Sequence, residues 1–181
     1  MELFIPGHPT KKLYIMRGIP GCGKTHRARQ LAPDEQIFSS DKFFGEGEEY
    51  KKNWKIEKAH LGHRDCEAKT KAAMKQGVSP VVVDNTNINL SALRVYLDMA
   101  VQFGYEVYFA YPDSPWWDEV VGPFLDKKTP ETTDEEYDAV VAQILDKNTH
   151  GVPAETLKSM MQRWTWPKIE EYIQSIEQRI A

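Results

Sequence analysis

The sequence predicts an α/β fold, a parallel sheet of about four strands flanked by helices and covered by a helical lid. Three observations predict it. A short apolar run, Leu13-Tyr14-Ile15-Met16, empties into a glycine-rich turn, and a helix-like segment (HRARQLA) follows at once. A continuous β-branched run, Val81-Val82-Val83, ends in Asp84, as a strand buried on both faces does. Between such strands lie stretches with apolar residues three and four positions apart, the spacing of an amphipathic helix. The chain of 181 residues is long enough for one domain, 1–181, with a sizeable core.

Taken in order, residues 1–11 carry two prolines and a glycine and read as a short leader. The first strand is expected at about 12–17 and the first helix at 23–32, ending before Pro33. Gln36 to Ser39 is a short second strand that stops at Ser40-Asp41. Residues 42–53 hold two glycines, many charges and little periodicity, which predicts a mobile loop. A long helix is expected at 54–76, with Ile56, Ala59, His63, Cys66, Thr70 and Ala73 as one stripe and His63 as a partnered interior histidine. Gly77 to Pro80 is a turn before the third strand. The polar run Asn85-Thr86-Asn87-Ile88-Asn89 supplies a cap for a helix at 90–103, whose core face is Leu90, Leu93, Leu97 and Ala100. Gly104 ends that helix. Tyr105 to Tyr111 is the fourth strand, and no clear fifth follows. Residues 112–151 form the lid region, in which Thr133 to Glu136 fits a capping box opening a helix to about 147. Residues 152–181 are C-terminal helices: Pro153 opens one carrying Leu157, Met160, Met161 and Trp164, and Pro167 one carrying Ile169, Tyr172, Ile173, Ile176 and Ile180. These Met and Trp residues read as core.

The chemistry concentrates at strand ends. Gly18-Ile19-Pro20-Gly21-Cys22-Gly23-Lys24-Thr25 is G-x-x-x-x-G-K-T, a phosphate-binding loop, in the required strand–loop–helix context. Glycines let successive peptide N–H groups turn toward a phosphate, and the helix that follows presents its positive end. Lys24 can reach terminal phosphates, and the Thr25 hydroxyl can ligate Mg²⁺. Asp41 follows the second strand, on the carboxyl edge where open α/β sheets place their sites. It could take a proton from an attacking hydroxyl, or it could cap the next helix. Asp84 stands where phosphate-loop proteins place a second acid for Mg²⁺. Asn85, Thr86 and Asn87 exceed what a cap needs and are expected to contact substrate or orient Asp84. His60 and Arg64 could face the cleft.

Composition narrows the classes. The net charge of −4 argues against a broad electrostatic grip on a duplex, without excluding a local groove for a strand end. Lys51, Lys52, Lys55 and Lys58 form one local excess and Lys69, Lys71 and Lys75 another, and each reads as a solvated helix face. No apolar run is long enough for a membrane span, and the N-terminus lacks a signal-peptide layout. Cys22 and Cys66 give no disulfide framework, so a reducing cytoplasm is expected. Cys22, inside the loop, could be a reactive thiol, but reads first as a small residue at a permissive position.

Four segments in this order, RGIPGCGKT (17–25), FSSDKFF (38–44), VVVDNTN (81–87) and NTHGVPAETLKSM (148–160), with GYEVYFAYPDSPWW (104–117) between them, resemble the phage-type 5′-OH polynucleotide kinases and their relatives. The resemblance spans about residues 13–164. It implies a P-loop kinase fold, ATP and Mg²⁺ as cofactors, and the 5′-OH end of a DNA or RNA strand as acceptor. It implies Asp41 as general base, Asn85, Thr86 and Asn87 as lining of the acceptor site, and Lys147 as the lid cation on the β/γ-phosphates. The departures are Phe44 where the phage enzyme has arginine, Asn85 where it has aspartate, and a lid offering Lys147, Lys127 and Lys128 in place of arginines, which lack arginine's bidentate fork. Neither a phosphatase nor a ligase module accompanies the motifs. Two other readings stay open. One is a kinase for another hydroxyl, such as a hydroxymethylated base, a nucleoside or a small metabolite. The other is a nucleotide-binding regulator without catalysis. Oligomeric state is not readable.

Overall fold

The computed structural model describes residues 11–180, so the leader reading for residues 1–10 lies outside the described residues. Strand β1 (Lys11–Met16) lies between β3 (Val81–Val83) and β4 (Tyr105–Ala110), and the short β2 (Ile37–Phe38) flanks β3. The order is β2-β3-β1-β4, and every pairing is parallel. Ile15 pairs with Val83 on one side and Phe109 on the other, so the carboxyl ends of the three central strands finish level. This is the P-loop kinase fold that the sequence predicts.

The period of two along β1 explains the layers. Leu13 and Ile15 face one way, with Val81, Val83 and Val107, onto helices α3 (Ala59–Lys75), α4 (Leu90–Phe103) and α8 (Ile169–Ile180). Met16 faces the other way, with Val82 and Ala110, onto Ala28 and Ala32 at α1 (Lys24–Leu31). Leu93, Leu97 and Ala100 are fully buried, as expected for α4; Asn89 caps its start by accepting from Ala92 N–H, and Gly104 ends it.

The expected stripe on α3 is shifted. The buried residues are Gly62, Cys66, Thr70 and Met74, while His63 is exposed, not interior, and Ile56 is 68% exposed. The helix begins at Ala59, after a tight turn at Ile56–Lys58, so Ile56 never joins its core face. Where a loop is expected at residues 42–53, the structure has helical turns. A 3₁₀ turn, Asp41–Phe44, leads into α2 (Gly47–Asn53). Phe44 is buried edge-on against Tyr50, and acids in the first turn with lysines in the last suit the helix dipole. The sequence shows too little periodicity there because two aromatic side chains supply the burial.

The lid comprises a π turn at Trp117–Val121, α5 (Gly122–Lys127), α6 (Asp134–Ile144) and a 3₁₀ turn at Leu145–Lys147. The Thr133–Glu136 capping box is present. With α7 (Ala154–Gln162), this region has its own core: Val121, Leu125, Val140, Ile144, Leu157, Met161 and Trp164. That core also contains Ile19 and Cys22, from the loop after β1. The side chain of Ile180, expected on the apolar side of α8, lies outside the described ones.

Leu97, wholly enclosed between α4 and the sheet, is the best single probe of this packing. Leu97→Ala is expected to lower unfolding free energy by about 2–5 kcal/mol, read as a shifted urea midpoint with unchanged slope.

Candidate phosphoryl-transfer site

The loop from Gly18 to Thr25 is fixed on three sides. Gly18 N–H donates to the Thr86 carbonyl at 3.1 Å. The carbonyls of Ile19, Gly21 and Cys22 accept from Lys24 Nζ at 3.1 Å, Trp116 Nε1 at 2.9 Å and Ser114 Oγ at 2.9 Å. Gly21 has φ 83°, in the left-handed region, and a Cβ there would meet the backbone of Lys147 and Asn148 at 3.0 to 3.1 Å. The end of the lid therefore crosses directly over the phosphate loop, and only glycine leaves room.

Thr25 Oγ1 donates to Asp84 Oδ2 at 2.6 Å, bringing together the two residues expected at Mg²⁺. Asp84 Oδ1 is buried and has no hydrogen-bond partner among the described residues. An orphaned buried carboxylate oxygen beside a hydroxyl suits a hard divalent cation that keeps most of its water. Burial pushes the Asp84 carboxyl up from its ordinary range, opposed by the Lys24 ammonium. Burial likewise pulls the Lys24 ammonium down, opposed by Asp84. Asp41 is near enough to act on both charges. Lys24, Thr25, Asp84 and Asp41 thus share the carboxyl edge of the sheet.

Asp41 opens the 3₁₀ turn and accepts from Tyr50 Oη at 3.3 Å. Burial first, and then the Asp41 carboxylate, push the Tyr50 phenol up, so it stays a donor. The asparagines are arranged differently from what a lining role would suggest. Asn85 Oδ1 accepts from both Ser40 N–H and Ser40 Oγ at 2.9 Å, and its amide donates to Tyr96 Oη at 3.3 Å. Asn87, at φ 46°, donates to the Met16 carbonyl at 2.8 Å. Both side chains are buried and tie strand ends together, while Thr86 is partly exposed. Lys147 has its backbone over Gly21, but its Nζ pairs with Asp146 at 2.8 Å and sits 5.7 Å from the Trp116 ring.

Four residues escaped the sequence reading. Arg17 is 2% exposed. It donates to the carbonyls of Asn87, Ile88 and Thr165 and stacks 4.4 Å from the Trp164 ring, joining the loop to the C-terminal segment. Its position directly before Gly18 was the available signal. Trp116 and Ser114 hold the loop carbonyls. Gly62 lets α3 touch the Asp41 turn, since a Cβ there would lie 2.5 Å from the Ser40 carbonyl oxygen.

With this geometry in hand, the family is plain. The chain matches the AAA domain family over residues 13–119 and belongs to it. It is similar to human NEDD4-binding protein 2, with 28% identity over 157 residues, covering 84% of this chain and 8% of that protein. The chain therefore spans a small part of that relative's length. Two solved structures, of a Pnkp1/Rnl/Hen1 complex and a Pnkp1/Rnl/Hen1 RNA repair complex, each contain a chain aligning with a TM-score of 0.47. They are 23% and 19% identical, cover 71% and 81% of this chain, and are themselves covered over 45% and 46%.

Two outcomes are expected. Gly62→Ala must displace backbone, so it should cost about 1–3 kcal/mol in urea unfolding. Cys22 is fully buried, and burial pushes its thiol up to about 11. A raised thiol is protonated at neutral pH, so iodoacetamide should label Cys22 only after denaturation, as mass spectrometry of the native and unfolded protein would read.

Proposed function

We propose that this domain transfers the γ-phosphoryl group of ATP to a hydroxyl, and that the hydroxyl is the 5′ end of a nucleic-acid strand. The carrying observation is the shared edge: Thr25 bonded to Asp84, Lys24 beside them, and Asp41 within electrostatic reach of both charges. Such transfer asks a protein for positioning and charge stabilisation more than for covalent chemistry.

Each residue has a part. The Gly18–Thr25 loop, held rigid by Trp116 and Ser114, cradles the phosphates. Lys24 neutralises charge on the transferred group. Thr25 and the Asp84 carboxylate would hold Mg²⁺, which when bound offsets charge on the β- and γ-phosphates. Asp41 accepts the acceptor hydroxyl's proton, and Tyr50 Oη marks a place where a hydroxyl meets that carboxylate. Lys147, at the lid end over Gly21, supplies a further positive charge on exchanging Asp146 for phosphate. Asn85 and Asn87 support the acceptor side by holding the Ser40 turn and the end of β1, with Thr86, partly exposed between them, left to contact substrate. The 5′-end acceptor is supported by the ordered match of the loop, the Ser-Asp turn, D-N-T-N and the late H-G-V to polynucleotide kinases.

Transfer of labelled phosphate from Mg²⁺-ATP to a 5′-OH oligonucleotide tests this. Asp41→Asn should lower the rate by about 10²–10⁴-fold while affinity for a fluorescent ATP analogue holds. Survival of transfer in that variant would remove Asp41 from its role. Transfer to a nucleoside but not to an oligonucleotide would replace the acceptor, and ATP binding without transfer to any hydroxyl would leave a regulator.

A further inference from the structure

The general base sits inside a patch that the transfer chemistry does not use. Phe43 and Phe44, two and three residues after Asp41, meet edge to face, with centroids 5.1 Å apart. Tyr50, hydrogen-bonded to Asp41, stacks on Trp54 at 6.4 Å and 26°, and lies 4.9 Å from the ring of His150, which comes from the lid end. The rings are not all sealed in core: Phe43 is 44% exposed, Trp54 is partly exposed and His150 is exposed. Ile56 and Leu61, two more large exposed apolar residues, lie on the same stretch.

Charge separates along this stretch in an otherwise acidic chain. Glu46, Glu48 and Glu49 crowd the start of α2, whereas residues 51–64 hold Lys51, Lys52, Lys55, Lys58 and Arg64 against Glu57 alone, with His60 and His63 between them. Lys51 pairs with Glu48. Among the described residues no carboxylate lies within ion-pair distance of Lys52, Lys55 or Lys58, and all three are exposed. Here the lysines are interleaved with exposed aromatic and aliphatic side chains beside the Asp41 carboxylate. Stacking rings with flanking cations are the elements that hold single strands.

We infer that residues 43–64 and His150 seat the acceptor strand: its terminal base stacks on the accessible Trp54 and His150 rings that flank the buried Tyr50 beside Asp41, and its following phosphates run along Lys52, Lys55, Lys58 and Arg64. This rests on the strand-end kinase reading above and locates where the strand lies. The seat is local, so it needs no positive net charge, and stacking with phosphate contacts accepts any base sequence.

The test is anisotropy of a 3′-labelled single-stranded oligonucleotide of about 12 nucleotides with a 5′-OH, titrated over a salt series, a length within the site sizes of single-strand grooves. The wild type should bind with an affinity that falls with salt. Lys52→Glu/Lys55→Glu/Lys58→Glu should weaken binding more than tenfold and flatten the log–log salt slope by about two. Trp54→Ala should weaken it by about 5- to 150-fold with the slope unchanged, and Trp54→Phe should restore it. Lys71→Glu/Lys75→Glu, a control on the far part of α3, should match the wild type. Retained affinity for a fluorescent ATP analogue certifies the fold of each variant. Absence of wild-type binding, as for a surface that takes a protein instead, overturns the seat. So does unchanged binding by the triple variant, or equal loss in the control. The kinase reading is separated by transfer to a dinucleotide too short to reach the lysines. Such transfer without oligonucleotide binding removes the seat alone, and oligonucleotide binding without transfer to any acceptor removes the kinase reading alone.

Discussion

Thr25 and Asp84 meet across the carboxyl edge of the sheet, and much of the structure depends on that 2.6 Å contact. Thr25 belongs to the first turn of α1 and Asp84 to the end of β3, two strands' worth of chain apart. Their bond can form only if β1 and β3 are neighbours and finish level, which the Ile15–Val83 pairing secures. Burial makes the ionised Asp84 costly and Lys24 costly with it, and each charge eases the other. Under the proposed function, phosphate and a divalent cation would meet these charges already gathered.

The phosphate loop is not a flap on the sheet surface. Its Ile19 and Cys22 side chains are part of the lid's hydrophobic core, and its carbonyls are held by Trp116 and Ser114. Loop and lid are therefore one packed unit. The lid's last turn lies on Gly21, so a shift of α6 or α7 is felt at the phosphates. The burial that makes this coupling also pushes the Cys22 thiol up, toward its protonated form. The Asp41 side of the site is built on the same logic. Gly62 brings α3 against Ser40, Asn85 clamps Ser40 from β3, and Tyr50 meets Asp41 from α2. Phe44, three residues beyond Asp41, is buried edge-on against Tyr50, the residue that donates to Asp41.

Much of this was legible in order and in spacing. Strand β3 is a bare β-branched triplet, α4 carries its cap, stripe and terminal glycine, and G-x-x-x-x-G-K-T admits few structural contexts. The failures share a cause. At α3, residues 62/66/70/74 and residues 59/63/66/70/73 both follow a helical period, the second with His63 among them, and the contact with Ser40 goes with the first. At 42–53, burial comes from Phe44 and Tyr50 packing on each other, which has no period to detect. Asn85 and Asn87 look like substrate groups in a polar run, yet their partners, Ser40 and Met16, are some 45 and 71 positions away.

The sequence by itself determined the parallel α/β class, the phosphate loop, and the presence of acids at the ends of β2 and β3. These follow from local rules: β-branched burial, glycine spacing and helix capping act within a few residues. Only the tertiary structure decided which polar groups work as scaffold, which face of α3 is inside, and that the lid end lies on Gly21 beside the Asp41 aromatic group. Those depend on contacts between residues far apart in the chain, where close packing and the need to satisfy every buried polar atom choose among arrangements that local pattern leaves equal.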